Sequence, residues 1–190
     1  MNAKLLVDQV QQLPSRGKGV LRQIYYHMKG MKQRPAWTCL MYRNAARPKA
    51  YITMWIMMNQ KFSTVDRLVQ WGIEVDKVCV LCKNGEETTE HLFLQCQFSR
   101  KLWERLLGSI DHHSTVPMVW EQFQQWCIQY GKEKRSTAQR FKTVLTEGIY
   151  GIWIERNNRI FSHRSKKDES IANEIAYVTI ARIPFNISKM

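Results

Sequence analysis

Apolar residues recur every three or four positions along most of the chain, which is the period of an α-helix. This spacing predicts a helix over 18–29 and a final amphipathic helix that carries Ile171, Ile175 and Val178 and ends before Pro184. Residues 50–60 are apolar on nearly every face, which predicts a helix buried inside a domain. The pattern therefore predicts a mainly α fold.

Two sequence motifs have the form of a helix capping box. Ser63-Thr64-Val65-Asp66 predicts a helix that runs to Trp71 and ends at Gly72. Ser136-Thr137-Ala138-Gln139 predicts a long helix that continues to about Arg159. Both predictions rest on the preference of serine and threonine side chains for the unpaired amides of a first helical turn.

Two further helices are predicted between these motifs. One covers 92–107 and stops at Gly108, and the other opens at Thr115-Val116-Pro117, since proline is tolerated in a first turn. Inside the long C-terminal helix, Gly148 and Gly151 each cost about 1 kcal/mol relative to alanine. We expect these glycines to permit close contact with another helix.

These elements predict a compact helical domain over 18–130, which contains a cysteine-rich loop at 75–107 and allows a short β-hairpin at the turn between Cys79 and Cys82. Residues 1–17 are predicted to be a tail or short helix, and 131–190 a basic helical segment that packs on the domain. No internal repeat is visible.

The composition predicts a packed interior and a reducing compartment. The 190 residues are 44% hydrophobic and include seven tryptophans, enough for a packed interior. The N-terminus does not have the pattern of a signal peptide, and the most apolar run, 51–58, is too short to span a membrane. Five cysteines without an export signal predict an intracellular, reducing compartment and no membrane partner.

The net charge of +13 is unevenly distributed. Residues 1–50 carry a balance of +9, residues 51–130 a balance of −2, and residues 131–190 a balance of +6. Any attraction for the phosphates of RNA or DNA must therefore come mainly from the two ends of the chain.

Within these basic ends, cations alternate with Trp37 and Tyr42, a composition that can follow a nucleic-acid backbone. We interpret the two aromatic residues as core residues and some of the cations as phosphate ligands, although a solvated surface accounts for the same residues. The candidate nucleic-acid-binding residues are Lys32, Arg34, Arg43, Arg47, Lys49, Arg156 and Arg159.

The strongest candidate for a functional site is the motif C-x2-C-x8-H-x4-C, formed by Cys79, Cys82, His91 and Cys96. Four soft or borderline ligands within eighteen residues have the composition of a closed Zn²⁺ site. A turn at Asn84-Gly85 can bring the two halves together. The alternative is that the thiols pack as small hydrophobic side chains.

The chain resembles the zinc-binding region that follows the polymerase domain in plant LINE-type (non-LTR) retrotransposon reverse transcriptases. The resemblance covers about 20–165 and rests on Trp37, Ala46-Arg47-Pro48-Lys49, Trp55, Asp66-Arg67-Leu68, Cys79-x2-Cys82, Glu87-Thr88-Thr89-Glu90-His91-Leu92-Phe93, Cys96, Trp103, and Ile152-Trp153-Ile154-Glu155-Arg156-Asn157-Asn158-Arg159-Ile160-Phe161.

The resemblance implies zinc at the four ligands and a place in an element-encoded polyprotein that handles its own RNA and target DNA. It also implies nuclear residence and contact with the polymerase part of that polyprotein. The sequence departs from the family in lacking a Tyr/Phe-x-Asp-Asp polymerase motif and an evident RNase H-like domain. We therefore expect a fragment, such as a decayed or domesticated copy.

Three functions follow from these observations. The first is a non-catalytic zinc-stabilised module that binds RNA or DNA phosphates through its basic flanks. The second is a protein-interaction module that uses the acidic loop residues Glu86, Glu87 and Glu90. The third, an enzyme, is disfavoured because Glu90 precedes His91, the reverse of the deaminase order, and no phosphate-binding loop or nucleophile elbow is present. The sequence thus predicts a binding module and not an enzyme.

Overall fold

The computed structural model describes residues 34–133 and 135–183. The chain divides into two units, residues 1–35 and 36–190, and the elements named here belong to the second unit. The predicted tail at 1–17, the predicted helix at 18–29 and the candidate ligand Lys32 lie outside the described residues.

Helices make up most of the described chain, which confirms the mainly α prediction. The described part holds no strand, only an isolated antiparallel bridge between Val78 and Glu86. In chain order the elements are a 3₁₀ helix Ala36–Met41, α1 Pro48–Met58, α2 Val65–Gln70, a π-helical turn His91–Gln95, α3 Gln97–Gly108, α4 Trp120–Gly131, α5 Arg135–Asn157, a second π-helical turn Asn158–Ser162, and α6 Asp168–Arg182.

The long helix α5 lies at the centre of this unit. It packs against α1, α3, α4, α6 and the first π-helical turn. Its apolar stripe is fully buried and consists of Phe141, Val144, Leu145, Ile149 and Ile152. The predicted separation of 18–130 from 131–190 stays a prediction, but in the described chain α5 packs against elements on both sides of that boundary.

The two helical glycines of α5 lie at close helix contacts, as predicted. A Cβ on Gly148 would lie 2.5 Å from Trp103 Cζ3 and 2.9 Å from Leu106 Cδ1 of α3. A Cβ on Gly151 would lie 3.1 Å from side-chain atoms of Ile171 and Ile175 of α6. Glycine therefore lets α3 and α6 approach the central helix on two sides.

We expect Gly148→Ala to lower the free energy of unfolding by about 1–2 kcal/mol. Overpacking a core costs about 1–3 kcal/mol, and the higher helix propensity of alanine returns up to about 1 kcal/mol. Gly108→Ala is the matched control, since nothing lies within 4 Å of its added Cβ. Urea denaturation measures both, and equal midpoints for the two variants would contradict the contact.

The buried-helix prediction for 50–60 is wrong for one face. Helix α1 buries Ala50, Met54, Met57 and Met58 but exposes Ile52 and Trp55 to solvent. Because apolar residues lie on nearly every face of this helix, its sequence pattern did not show which face meets α5.

The predicted helix starts also differ from the structure. Helix α2 begins at Val65 with Thr64 as its N-cap residue, and the side chain of Thr64 does not cap it. The Thr64 hydroxyl lies instead 3.2 Å from the hydroxyl of Thr89, in the metal loop (residues 75–107). The helix thus starts one residue later than the predicted box, whose N-cap position is Ser63, and the Thr64 hydroxyl is used in a tertiary contact.

Helix α4 begins at Trp120 and not at Thr115-Val116-Pro117. The backbone amide of Trp120 donates to Glu90 Oε2 at 3.2 Å, so a carboxylate from a distant part of the chain pairs with its first turn. Helix α5 begins at Arg135, one residue before the predicted box at 136–139. The serine and threonine of that box lie inside the first turn instead of preceding it.

Candidate metal centre

The first two predicted ligands lie on a tight turn built by backbone hydrogen bonds. The amide of Lys83 donates to the carbonyl of Cys79 at 2.9 Å, and the amide of Cys79 donates to the carbonyl of Gly85 at 3.0 Å. The amide of Asn84 donates to Cys82 Sγ at 3.4 Å. These bonds bend the chain so that both sulfurs lie on one side of the turn.

Glycine is required at position 85. Its φ is +84°, a conformation that side chains disfavour, and a Cβ there would lie 3.3 Å from His91 Cε1. The predicted turn at Asn84-Gly85 is thus confirmed, and its glycine lets the imidazole approach the loop.

The other two ligands are brought together by the π-helical turn His91–Gln95. Residues five apart in an α-helix differ by about 140° around the axis, so their side chains would diverge. Here the amide of Cys96 donates to the carbonyl of His91 at 2.7 Å, the five-residue bond of a π-helix. The wider turn places both side chains on one side. It also interrupts the helix predicted over 92–107, which resumes as α3 after Cys96.

The four predicted ligand atoms converge. They all lie within 4.8 Å of one another. Cys79 Sγ is 3.9 Å from Cys96 Sγ, and Cys82 Sγ is 3.3 Å from His91 Nε2. A tetrahedral zinc with ordinary bond lengths needs about 3.8 Å between two sulfurs and about 3.5 Å between sulfur and nitrogen. The cluster therefore fits zinc.

Hydrogen bonding and burial set the protonation of the metal-free cluster. The hydrogen bond from Cys79 to Cys96 raises the pKa of the Cys79 thiol and lowers the pKa of Cys96. Burial lowers the pKa of His91, which keeps its imidazole in the neutral form that binds metals. A bound cation would replace the proton that the two sulfurs share. When bound, zinc would cross-link the turn at 79–85 to the start of α3.

A buried ion pair fastens the metal loop to α5. Glu87 is buried, and its Oε1 lies 2.7 Å from Arg156 Nη2 and 3.1 Å from Arg156 Nε. The same oxygen accepts from the amide of Val65 at the start of α2. One carboxylate thus joins the metal loop, α2 and the end of the central helix.

A second arginine holds the cysteine turn itself. Arg159 Nη1 donates to the carbonyl of Leu81, between the two cysteines, at 2.9 Å. Its Nε donates to the buried carboxylate of Glu155 at 2.7 Å, which also accepts from the amide of Lys166. These residues lie outside the ligand run, and no local sequence pattern indicated that they would reach it.

A third predicted phosphate ligand, Arg47, is also paired inside the protein. Its guanidinium and backbone amide both donate to Glu147 of α5, whose side chain is inaccessible to solvent. Arg34, Arg43 and Lys49 are exposed. The structure does not test the binding of nucleic acid by any of these residues, which stays a prediction, but it gives Arg47, Arg156 and Arg159 structural partners.

The acidic loop of the interaction hypothesis is largely occupied as well. Glu87 is buried against Arg156, and Glu90 bonds to Gln95 and to the amide of Trp120. Glu86 alone of the three is exposed.

The two histidines after α3 lie apart from the predicted ligands. His112 packs against Trp126, Tyr130 and Phe141, and its Nδ1 lies 2.9 Å from Ser114 Oγ. Within the described chain, neither His112 nor His113 belongs to a group of potential metal ligands.

The fold and the converging ligands define a zinc-binding module: a helical body with a Cys3His site that could hold the ion. Residues 20–103, somewhat under half of the chain, match the family model described as zinc-binding in reverse transcriptase. This part of the chain is similar to a zinc-binding region and not to a catalytic domain. Searches of curated proteins and of solved structures give no match. In the described residues, each helix is too short or too polar to cross a membrane.

Proposed function

We propose that this chain is a non-catalytic, zinc-stabilised module that binds the phosphates of RNA or DNA through its cationic surfaces. The observation that carries the proposal is the Cys3His cluster, which lies inside the region similar to reverse transcriptase zinc-binding regions. Four protein ligands leave a tetrahedral zinc no open position for an activated water. The metal then serves the fold and not a reaction.

Charge supports phosphate as the ligand. The net charge is +13, and the balance of 51–130, which contains the metal loop, is −2. Arg43 and Lys49 are exposed and form no ion pair with a described residue. Such cations attract a nucleic-acid backbone without reading its sequence. The retroelement origin, the polymerase part of a polyprotein as partner, and nuclear residence belong to the same proposal and rest on the family resemblance.

Salt dependence tests this function. If about six phosphates of a DNA duplex are neutralised, the logarithm of the binding constant should fall with the logarithm of salt concentration at a slope near −5. Fluorescence anisotropy between 50 and 200 mM salt (roughly the range in which the effect is largest) measures the slope. A complex that does not respond to salt would contradict phosphate binding.

A charge-matched pair of variants tests the three candidate cations. We expect Arg34→Glu with Arg43→Glu and Lys49→Glu to lose retention on immobilised RNA and DNA. The control carries the same change in charge at the exposed residues Lys61, Lys77 and Lys101, where the surrounding region is not basic. Equal losses in both variants would indicate a bulk charge effect and no defined surface.

A second candidate function, a protein-interaction module, is favoured by an apolar groove beside the metal loop. The groove has a volume of about 320 Å³ and is lined by Leu68, Val78, Ile160 and Phe161. Phe161 is 75% exposed. An extended apolar segment of another polypeptide is the occupant that this lining would bind. Unchanged retention of nucleic acid by the first triple variant would favour this function over the first.

A further inference from the structure

An open, polar cavity of about 520 Å³ lies where three parts of the fold meet. Its walls are the loop after the 3₁₀ helix, the end of α4 and the first turns of α5. Three cations line it, Arg43, Lys132 and Lys142, together with the carboxylate of Glu133. Three positive charges against one negative charge leave an excess of two.

Lys142 is the unusual member of this cavity. The residue is only 8% exposed, and its Nζ donates to the carbonyl of Tyr42 at 3.1 Å. No carboxylate of a described residue lies within 4 Å of it. Arg47, Arg156 and Arg159, by contrast, each pair with a buried glutamate. A largely buried ammonium with one carbonyl partner keeps two donors for an anion.

The charge of this ammonium is disfavoured as the cavity stands. Burial lowers the pKa of Lys142, the nearby thiol of Cys39 raises it in part, and the neighbouring charge of Arg43 lowers it. An anion held between the two cations would favour the charged form of Lys142.

An exposed aromatic side chain stands at the mouth of the cavity. Tyr42, expected in the core from the sequence, is 67% exposed, whereas Trp37 is buried as expected. The guanidinium carbon of Arg43 lies 5.3 Å from the centre of the Tyr42 ring. A planar cation over an exposed ring forms a platform on which an unpaired nucleobase can stack.

The loop that carries these groups is held firmly to α5. Asn44 Nδ2 donates to the carbonyls of Leu40 and Lys142 and to the hydroxyl of Thr146. The amide of Ala45 donates to the hydroxyl of Thr143. This wall of the cavity is therefore preformed, and a ligand need not order it.

We propose that this cavity binds one phosphodiester of single-stranded nucleic acid, with Lys142, Arg43 and Lys132 on the phosphate and the adjoining base on Tyr42. The proposal rests on the proposed nucleic-acid-binding function and names its site. A single strand is favoured over a duplex because only an unpaired base can leave its neighbours and stack on a side chain.

The test uses the full, zinc-loaded chain and fluorescence anisotropy with a labelled oligouridylate. We expect Lys142→Met, which keeps the aliphatic stem, to weaken binding about tenfold, as loss of a charge-assisted contact does. The salt slope should fall by about 0.7, the value for one phosphate of a single strand. Tyr42→Leu should weaken binding about fivefold or more without changing that slope.

Matched controls lie on two helices that do not line the cavity. Lys101→Met removes an exposed lysine on α3, and Tyr177→Leu removes a tyrosine on α6 that is 75% exposed. Both should bind within about twofold of the wild type, as surface changes outside an interface do. If circular dichroism shows that Lys142→Met is unstable, the binding affinity of Arg43→Gln tests the cavity instead, because Arg43 is exposed and its replacement should not disturb the fold.

The possible outcomes distinguish failure of the proposed cavity site from failure of the proposed nucleic-acid-binding function. If the wild type binds the oligonucleotide and the Lys142, Tyr42 and Arg43 variants bind it with the same affinity, the proposed cavity site is wrong but the proposed function stands. No binding of any nucleic acid by the wild type would overturn the proposed function and the cavity with it. Uridine monophosphate that binds as tightly as the oligonucleotide would also contradict the proposal, since it would indicate a free-nucleotide site.

Discussion

Removal of zinc is expected to lower the melting temperature by about 10 °C. A ligand present at a thousand times its dissociation constant stabilises the native state by about 4 kcal/mol. Each kcal/mol shifts the melting temperature of a protein of this length by about 2–4 °C. Because an apolar core lies outside the metal loop, the effect should concentrate in residues 75–107. Hydrogen exchange with and without chelator locates it, and equal melting in both conditions would contradict a structural metal.

The zinc content of the purified protein tests directly whether the Cys3His cluster binds the metal. Elemental analysis should find one zinc per wild-type chain and a large loss of zinc in Cys79→Ser, whose sulfur is buried within the cluster. Cys39→Ser is the control, since Cys39 is a half-buried free thiol that does not belong to the ligand cluster. A full complement of zinc in Cys79→Ser would remove that residue from the ligand set.

Glu87→Gln is expected to lower the free energy of unfolding by about 3–5 kcal/mol, because it leaves the guanidinium of Arg156 buried without a counter-charge. The two side chains are 1% and 5% exposed, so water can replace little of the lost interaction. The same change loosens the contact between the metal loop and α5. Urea denaturation of the zinc-loaded protein measures the loss.

Two further variants make this prediction specific. Lys166→Gln removes the charge of an exposed ion pair with Glu174 and should change stability by less than about 0.5 kcal/mol. Replacing Glu87 and Arg156 together by leucine should recover much of the loss, since a buried pair exchanged for apolar groups is often nearly neutral. If Glu87→Gln were as stable as the wild type, the ion pair between Glu87 and Arg156 would not stabilise the fold.

The candidate site was predictable where its geometry is local. Cys79 and Cys82 share one turn, and His91 and Cys96 lie five positions apart, so each pair is close along the chain and the ligand spacing indicated all four residues. The π-helical form of the second turn was not predicted, because five-residue backbone bonds have no composition of their own.

Helix starts were poorly predictable because tertiary partners compete for the capping groups. The hydroxyl of Thr64 bonds to Thr89, and the first turn of α4 pairs with Glu90 from thirty positions earlier in the chain. A capping motif shows that a side chain is able to cap. It does not show whether a tertiary partner will use that side chain first.

The sequence by itself determined the helical class, the four metal ligands, the turn at Gly85 and the close contacts at Gly148 and Gly151. Each follows from backbone periodicity or from chain geometry over a few residues. Only the tertiary structure decided which cations pair with acids that are distant in the sequence. Arg47 lies 100 positions from Glu147 and Arg156 lies 69 from Glu87, whereas Lys142 has no carboxylate within 4 Å in the described chain. The reason is physical: charge pairing depends on distance through space and on loss of water, and neither is a function of spacing along the chain.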